Sequence, residues 1–329
     1  MESAGTGRQV VVTGGSGFIG SRLCASLCAD PTVARVLVLD LLPPAFSHPK
    51  LTHVACDLSL PITFVPEGTV STCFHLAAAC REPGFEWDEY FRHNHAATRE
   101  LVAWAVRHGI PNIVFTSTAM VFRAGEARRG ESDLPNADTA YGISKALAEE
   151  ALRGWRDADP SRRLRVVRPG VVFGQGAGGN FVNLQKALQR GLFVYIGRRD
   201  TIKSAIYVKD LVRLLLTVEH DTESFDTYHG AFREPTTIES VCKAFFQAYG
   251  WRRVVPVLPF RLALAAALPF QWLDALGLRN PVHTRRIEKL YHSTNLSADR
   301  LEALGFRHQF TLDTAIADWR QDCAPRSLY

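Results

Sequence analysis

A short apolar segment that runs directly into a glycine-rich turn constrains the fold of this chain more than any other feature. Residues 9–12 (Gln-Val-Val-Val) are typical of a buried strand in a parallel sheet. Three glycines follow at intervals of three: Gly14, Gly17 and Gly20. They permit a tight turn, the approach of a pyrophosphate to a helix N-terminus, and close packing of that helix on the strand. The pattern predicts a dinucleotide-binding strand–turn–helix, although the same unit without a ligand is the alternative.

Two acidic residues follow the next apolar segments. Asp40 ends the second predicted strand, residues 35–40, about 20 residues past the turn, where a carboxylate accepts hydrogen bonds from an adenosine ribose. A carboxylate there repels a 2′-phosphate, so the sequence favours NAD over NADP. Asp57 follows residues 52–56 and is expected to meet the adenine. The alternative for Asp57 is a loop carboxylate that caps a turn.

A tyrosine and a lysine lie four residues apart on a predicted helix over residues 139–153. Tyr141 and Lys145 therefore share one helix face. A free tyrosine has a pKa near 10, and it becomes a base near neutral pH only if that pKa falls by about 3 units, or roughly 4 kcal/mol. Lys145 and a positively charged nicotinamide would lower it, and Thr118 could bind the reacting oxygen. These groups predict transfer of a hydride and a proton at a carbinol carbon; a surface helix that carries a Tyr and a Lys is the alternative.

The order of these motifs resembles the extended short-chain dehydrogenase/reductase family, in particular its NAD-dependent nucleotide-sugar epimerases and dehydratases, such as the UDP-sugar 4-epimerases. The matching segments are 13–20 (cofactor turn), 74–78 (fourth strand and nicotinamide-side loop), Asn94, 115–122 (strand with the catalytic Ser/Thr), 141–145 (active pair) and 168–174 (sixth strand). The resemblance implies an α/β fold, with a doubly wound parallel sheet of Rossmann type and a smaller C-terminal substrate-binding lobe. Residues 1–174, with 204–219 returning to them, would form the NAD-binding domain, and residues 175–329 would form mainly the lobe.

The same resemblance assigns site residues by their positions in the motifs. The implied cofactor contacts are Gly14, Gly17, Phe18, Ile19, Gly20, Asp40, Asp57, Leu58, Leu76, Ala77, Ala78, Asn94, Tyr141, Lys145 and Pro169. The implied substrate contacts are Arg81, Thr118, Asn180, Lys203 and Arg285, with Arg286 as the alternative to Arg285. For the residues of the lobe, solvated surface groups are the alternative. Family members of this kind often pair their central helices, here predicted at 86–108 and 139–156, to form a homodimer.

One departure from the family pattern bears on the reaction. Sugar dehydratases of this family place an Asp-Glu pair directly after the catalytic threonine, whereas Thr118 is followed by Ala119 and Met120. The sequence therefore predicts a nucleotide-sugar epimerase that acts at C4 through a transient 4-keto intermediate. The alternative is an NAD(P)-dependent reductase or dehydrogenase of a keto sugar or a hydroxysteroid-like alcohol. A cofactor-binding regulator without catalysis is disfavoured, because the candidate catalytic residues are all present.

Composition is that of a globular protein in a reducing compartment. The 329 residues are 47% hydrophobic and 22% charged, and the net charge of +5 is spread along the chain, so we expect no nucleic-acid partner. Seven cysteines without C-x-x-C spacing predict no metal site, and we expect a cytoplasmic protein without a signal peptide. The apolar segment 262–273 is too short for a membrane span, which needs about 20 residues. A packed lobe helix is expected there, with a lid or a membrane-surface contact as the alternative.

Overall fold

The chain folds around a parallel sheet, and a computed structural model describes residues 7–81, 84–222, 225–266 and 284–323. In chain order the strands are β1 (Arg8–Thr13), β2 (Val33–Asp40), β3 (Leu51–Ala55), β4 (Val70–His75), β5 (Asn112–Thr116), β6 (Gly125–Arg129), β7 (Arg163–Pro169), β8 (Val171–Phe173), β9 (Tyr195–Ile196), β10 (Ala205–Tyr207), β11 (Phe225–Gly230), β12 (Val257–Leu258) and β13 (Thr294–Leu296). The helices are α1 (Phe18–Ala29), α2 (Trp87–Tyr90), α3 (Ala97–Arg107), α4 (Ala140–Asp157), α5 (Asn180–Arg190), α6 (Val208–Glu219), α7 (Ile238–Tyr249), α8 (260–266), α9 (Thr284–Tyr291), α10 (Asp299–Ala303) and α11 (Leu312–Cys323).

Seven strands form the main sheet in the order β3-β2-β1-β4-β5-β7-β11, and every neighbouring pair is parallel. The predicted α/β fold with a Rossmann-type parallel sheet is therefore confirmed. The chain builds outward from β1 to β3 and then returns to β4 on the other side of β1. This reversal opens a crevice at the carboxyl ends of β1 and β4, which is where ligands bind in open α/β sheets.

Helices cover both faces of the sheet, as an all-parallel sheet requires. On one face, α1 buries Leu27 against β1 and β2, while α6 lies beside α1 over β5 and β7 and adds Leu214 to the same core. On the other face, α3 and α4 bury Trp104 and Leu152. The indole of Trp104 donates a hydrogen bond to the carbonyl of Phe64 at 2.7 Å, so its one polar atom is satisfied. Each such leucine contributes about 1.5–3 kcal/mol through burial, so these two layers hold the sheet in place.

The predicted long helix at 86–108 forms in three parts. A π-helical turn at Phe91–Ala96 lies between α2 and α3, and it carries Asn94 into the interior. The predicted helix at 139–156 forms as α4. π-helical turns occur often at functional sites because the extra residue re-aims the side chains around it.

The C-terminal part of the chain builds a separate aromatic core. Phe173, Tyr207, Phe245 and Trp319 pack together between β8, β10, α7 and α11. β10 pairs with β8 outside the main sheet, while the helix after it, α6, covers the main sheet, and β11 then adds to the sheet edge. The division into a cofactor domain and a lobe stays a prediction.

The apolar segment predicted as a lobe helix is described only in part. Residues 260–266 are helical, and residues 267–273 lie outside the described part of the chain. Within the described ranges no helix has the length and apolar character needed to cross a membrane.

We expect Gly20→Ala to destabilise the protein strongly, because a methyl group there would lie 2.1 Å from the carbonyl oxygen of Gly14. Backbone cannot move away as a flexible side chain can, so the loss should be about 2 kcal/mol or more of the free energy of unfolding. Gly154→Ala is the matched control, since Gly154 is also helical and has no heavy atom near its built Cβ. The control should gain up to about 1 kcal/mol in urea unfolding. Equal effects of the two substitutions would contradict the close packing of α1 on the turn.

Candidate active site

The glycine turn and the end of β2 form one hydrogen-bonded unit. Gly14 has a φ of +68°, a conformation that favours glycine. The carboxylate of Asp40 accepts hydrogen bonds from the backbone N–H groups of Ser16, at 3.0 Å, and Leu42, at 3.1 Å. Gly17 caps the N-terminus of α1 without a side-chain hydrogen bond. The positive end of the α1 dipole therefore faces the turn, and this arrangement is suited to a pyrophosphate with a ribose beside Asp40.

The first turn of α1 contains the remaining predicted residues of this unit. Phe18 and Ile19 are half-buried, and Gly20 is buried against Gly14. Arg22 covers the Phe18 ring, with its guanidinium carbon 4.7 Å from the ring centroid. The structure thus brings the predicted residues of the glycine turn together.

Asp57 caps a turn. Its Oδ1 atom accepts hydrogen bonds from the backbone N–H of Ser59, at 2.9 Å, and from the Ser59 hydroxyl, at 2.7 Å. These hydrogen bonds hold the pKa of Asp57 below its usual value. Leu58 beside it is buried. The turn-capping role is therefore observed, while contact of Asp57 with an adenine and of Leu58 with the cofactor stays a prediction.

His75, at the end of β4, is a neutral member of a buried network. Burial, and then the nearby charge of Lys145, lower the pKa of His75 to about 3. The Thr98 hydroxyl donates its proton to the carbonyl of Asn94 at 2.6 Å. His75 Nε2 must therefore donate to Thr98, at 2.9 Å, which leaves Nδ1 to accept from the Thr13 hydroxyl at 2.7 Å. This tautomer satisfies both ring nitrogens.

The same network fixes the loop after β4 beside the glycine turn. The Thr13 oxygen accepts hydrogen bonds from the backbone N–H groups of Leu76 and Ala77, both at 3.2 Å. A Cβ built on Gly14 would lie 2.7 Å from the Ala77 nitrogen. The two predicted cofactor segments are therefore in direct backbone contact, and Ala78 follows in the same loop.

Asn94 joins this loop to the helix that carries the candidate catalytic pair. It is 1% exposed, and its Oδ1 accepts from the backbone N–H of Ala79 at 2.8 Å. Its Nδ2 donates to the Ser144 hydroxyl at 2.9 Å, and that hydroxyl donates to the carbonyl of Tyr141 at 2.8 Å. Asn94 thus links the loop, the π-helical turn and the first turn of α4.

Backbone contact brings Thr118 and the start of α4 together. Thr118 caps the 3-10 turn at Ala119–Val121, and its hydroxyl accepts from the N–H of Met120 at 3.2 Å. A Cβ built on Gly142 would lie 2.1 Å from the carbonyl oxygen of Met120. Only a glycine allows this approach, so the residue that follows Tyr141 sets how closely α4 packs on the turn.

Tyr141 and Lys145 both point into the interior. Tyr141 is 8% exposed, and its ring lies 6.1 Å from that of Tyr90, with Met120 packed against the same cluster. Lys145 is 1% exposed, and its Nζ atom lies 4.0 Å from the centroid of the Phe115 ring. Burial lowers the pKa of Lys145 to about 7, an effect that nearby Glu149 partly opposes. A lysine with this pKa exchanges protons near neutral pH.

A buried ion pair beneath the site was not predicted from the sequence. Glu149 and Arg168 are both almost fully buried, and Arg168 donates to both carboxylate oxygens, at 2.9 and 2.7 Å. The Ser117 hydroxyl donates to the same carboxylate at 2.5 Å. Two signals were available: Glu149 follows Lys145 by one helical turn, and Arg168 interrupts an apolar strand just before Pro169.

The predicted substrate residues fall in two places. Asn180 and Lys203 line a single cavity of about 260 Å³ with apolar neighbours that include Phe193 and Leu290. Arg81 is exposed after the loop that follows β4 and is not among the residues that line this cavity. The side chains of Arg285 and Arg286 lie outside the described residues. Pro169, at the end of β7, is buried.

The part of the chain that the structure describes contains no group of three or more His, Cys, Asp or Glu side chains able to hold a metal ion. Cys24 and Cys28, one turn apart on α1, are both free and buried. Burial raises the pKa of the Cys24 thiol to about 12.

This chain belongs to the NAD dependent epimerase/dehydratase family, whose model matches residues 10–229. The match begins within β1 and includes the glycine turn, Thr118, α4 and the carboxyl end of β7, and it confirms the resemblance seen in the motifs. The chain is accordingly an enzyme of that family.

Two relatives that are similar to this chain have names that indicate different reactions. A protein of Escherichia coli O157:H7 named N-acetyl-alpha-D-glucosaminyl-diphospho-ditrans,octacis-undecaprenol 4-epimerase is 26% identical over 311 residues, which cover 94% of this chain and 93% of that protein. A 3-beta-hydroxysteroid dehydrogenase of Mycolicibacterium neoaurum is 27% identical over 332 residues, covering 94% and 90%. The solved structure described as MoeE5 in complex with UDP-glucuronic acid and NAD superposes with a TM-score of 0.74 at 22% identity, and covers 97% of this chain and all of that one. The fold is therefore shared with a structure that holds NAD and a UDP-sugar.

The low pKa of Lys145 predicts how the stability of cofactor-free protein depends on pH. Between pH 7 and 10.5 the unfolded chain holds more protons at this residue than the folded chain does, so raising the pH across this window stabilises the fold. In this window the free energy of unfolding of the wild type, measured relative to that of Lys145→Met, should rise by on the order of 1 kcal/mol per pH unit. Below pH 7 the difference between the two proteins should not change with pH. Urea unfolding at several pH values measures this difference. A difference that stays constant from pH 7 to 10 would contradict the buried position of the ammonium group.

Proposed function

We propose that this protein is an NAD-dependent epimerase that inverts C4 of a nucleotide-activated sugar through a transient 4-keto intermediate. The observation that carries the proposal is the arrangement of Thr118, Tyr141 and Lys145 at one end of α4, without a carboxylate at the position used by dehydratases. Ala119 and Met120 stand there, and Met120 packs in the cluster that contains Tyr141. An apolar neighbour cannot protonate a departing hydroxyl, which argues against elimination of water.

The residues present fit a dinucleotide. Methyl groups on Gly14 or Gly20 would fill the space in which the turn, the loop after β4 and α1 meet. Asp40 would hold the adenosine ribose, the N-terminus of α1 the pyrophosphate, and Lys145 the nicotinamide ribose. When bound, the nicotinamide supplies a hydride acceptor that returns the hydride to the substrate carbon.

The side chains of this protein handle the proton. Tyr141 takes the proton of the C4 hydroxyl as the carbonyl forms, and gives it back as the carbonyl is reduced. Lys145 stabilises the phenolate of Tyr141 by its charge, and a phenolate in turn favours the protonated form of Lys145. Thr118 donates a hydrogen bond to the reacting oxygen. Because Tyr141 and Lys145 are buried, their mutual interaction is screened less than it would be in water.

The cavity lined by Asn180 and Lys203 is the proposed site for the activating diphosphate and the group attached to it. Lys203 is one of the residues that line it, and the Lys203 ammonium also donates to the carbonyl of His292. An ammonium and an amide suit a diphosphate. The name of the E. coli relative places the diphosphate on a polyprenol rather than a nucleoside, so the assay should offer both kinds of sugar diphosphate.

Dehydrogenation of a hydroxysteroid is the second candidate. The cavity walls are mainly apolar, from residues such as Phe181, Leu184 and Ile196, and the M. neoaurum relative is named for that activity. The same Thr118, Tyr141 and Lys145 would then act on a sterol hydroxyl, with net accumulation of NADH.

The reaction product separates these candidates. With UDP-glucose, UDP-N-acetylglucosamine and their polyprenyl-diphosphate counterparts, we expect an epimer of unchanged mass, no NADH accumulation, and no carbon-bound deuterium in deuterated water. Tyr141→Phe should lose activity on the order of 10³-fold or more, because the substitution removes the phenolic oxygen that takes and returns the proton. Tyr228→Phe, another buried tyrosine distant in sequence from the site, is the control. A product lighter by one water would refute the proposal, and NADH formed in proportion to a steroid product would favour the second candidate.

Asp40 should select NAD. Its carboxylate is held beside the turn by two backbone N–H groups, so its charge would oppose the 2′-phosphate of NADP. Asp40→Ser should weaken NAD and strengthen NADP, with a combined change in the ratio of their dissociation constants of about tenfold or more, since hydrogen bonds to a charged group contribute about 1.5–3 kcal/mol. Fluorescence titration with each dinucleotide measures the ratio. Tighter binding of NADP than NAD by the wild type would mean that Asp40 does not face the ribose.

A further inference from the structure

One edge of the C-terminal part of the chain exposes large apolar side chains close together. Five of the exposed large apolar residues in the described structure belong to it: Leu192, Val254, Val257, Leu262 and Leu290. Their exposed fractions run from 38% for Val257 to 92% for Val254. Isolated exposed leucines are ordinary on a protein surface, but a group of them on neighbouring segments indicates a contact surface. We call these five residues the apolar edge.

Contacts between the segments that carry these residues make the segments neighbours in the C-terminal part of the chain. Arg253, next to Val254, donates to the carbonyl of Leu188 at 3.2 Å, close to Leu192. β12, which contains Val257, pairs with β9. Further along the chain, the ring of Phe260 stacks on that of Tyr291 with centroids 4.1 Å apart. This stacking holds α8, which carries Leu262, against the end of α9, which carries Leu290.

The same segments are rich in positive charge. Residues 180–199 and 250–266 contain seven Lys and Arg residues and no Asp or Glu, although the whole chain has a net charge of only +5. Arg190, Arg252 and Arg261 are exposed. Arg198 and Arg199, by contrast, form ion pairs: Arg198 with Glu126 and with Asp200, which directly follows this segment, and Arg199 with Glu239. Exposed arginines therefore alternate with the exposed apolar side chains.

We propose that the apolar edge, with the arginines around it, docks on the surface of an anionic lipid bilayer. Apolar side chains that enter the boundary between headgroups and acyl chains, flanked by basic residues that meet anionic headgroups, are the features that bind proteins to such surfaces. The positive charge selects a bilayer over a second copy of this chain, because two such edges would repel each other.

Docking in this way brings the substrate cavity to the membrane. Leu290 belongs to the apolar edge and also lines the cavity of about 260 Å³, together with Phe193, Tyr195 and Ile196. Phe193 is the immediate neighbour of Leu192. A substrate with a lipid tail could then keep its tail in the bilayer while its polar end enters the cavity. This last step rests on the proposed function, whereas docking itself does not.

Vesicle sedimentation of the full chain tests docking without any sugar or cofactor. We expect the protein to sediment with vesicles of equal parts phosphatidylglycerol and phosphatidylcholine, and to stay in solution with phosphatidylcholine alone. The variant Arg190→Gln/Arg252→Gln/Arg261→Gln should bind the anionic vesicles on the order of 100-fold more weakly, at about fivefold per charge. Raising the salt concentration should weaken wild-type binding, because salt screens the attraction.

A matched pair of serine variants separates the apolar edge from general surface hydrophobicity. Leu192→Ser/Val254→Ser/Leu262→Ser should weaken vesicle binding by about tenfold or more. Leu60→Ser/Val65→Ser/Leu134→Ser replaces side chains of similar exposure elsewhere and should change binding by less than about twofold. Thermal unfolding of each variant confirms that it is folded. None of the substituted residues lines the substrate cavity, so turnover of water-soluble UDP-sugars should be unaffected.

Several results would overturn docking. They are the absence of wild-type binding to anionic vesicles, equal losses in the two serine variants, or binding that is insensitive to salt. Light scattering tests whether a second copy of this chain binds the apolar edge instead. That assignment would follow if the wild type is a dimer that binds no vesicles and the variant Leu192→Ser/Val254→Ser/Leu262→Ser is a monomer. Failure of the epimerase assay alone would leave the vesicle results standing, so the two proposals fail separately.

Discussion

The buried ion pair between Glu149 and Arg168 holds the segments of the candidate active site in one arrangement. Glu149 comes from the helix that carries Tyr141 and Lys145, and Arg168 from the end of β7. Ser117, which follows β5 and precedes Thr118, donates to the same carboxylate, and so does Arg153, one turn further along α4. Removing one member of such a pair leaves an uncompensated buried charge, at a typical cost of about 3–5 kcal/mol. This interaction, together with apolar packing, therefore fixes the position of α4 relative to the strand ends.

The interior near that ion pair contains a neutral hydrogen-bonded network and, next to it, a buried lysine. Beneath the cofactor turn, Thr13, His75 and Asn94 form a neutral network in which donors and acceptors match, and this network fixes backbone positions without contributing a charge. Lys145 lies next to this network, and burial brings its pKa near neutrality. The neutral network therefore keeps its hydrogen bonds as the pH changes near neutrality. Lys145, one of the residues that would carry out the chemistry, changes its protonation state in that range.

The residues that match the family motifs and those of the proposed substrate cavity come from different parts of the chain. The cofactor turn, Thr118 and α4 would serve a sugar carbinol or a sterol carbinol equally well. We propose that the cavity near Asn180 and Lys203 selects between them; its lining is mainly apolar but includes the Lys203 side chain. Those features suit a molecule with both a diphosphate and an apolar part. The exposed apolar and basic edge beside the cavity is consistent with a substrate of that kind being reached at a lipid surface.

Local sequence determined the elements whose signals are short-range. Glycine spacing after an apolar strand predicted β1, the turn and α1, and helical spacing put Tyr141 and Lys145 on one face of α4. Only the tertiary structure decided how close Gly142 lies to Met120, that Arg168 meets Glu149, and that α2 and α3 are joined by a π-helical turn. The physical reason is that periodicity and turn chemistry act over a few residues, whereas these contacts depend on strand order and on packing between distant segments, which no local pattern encodes.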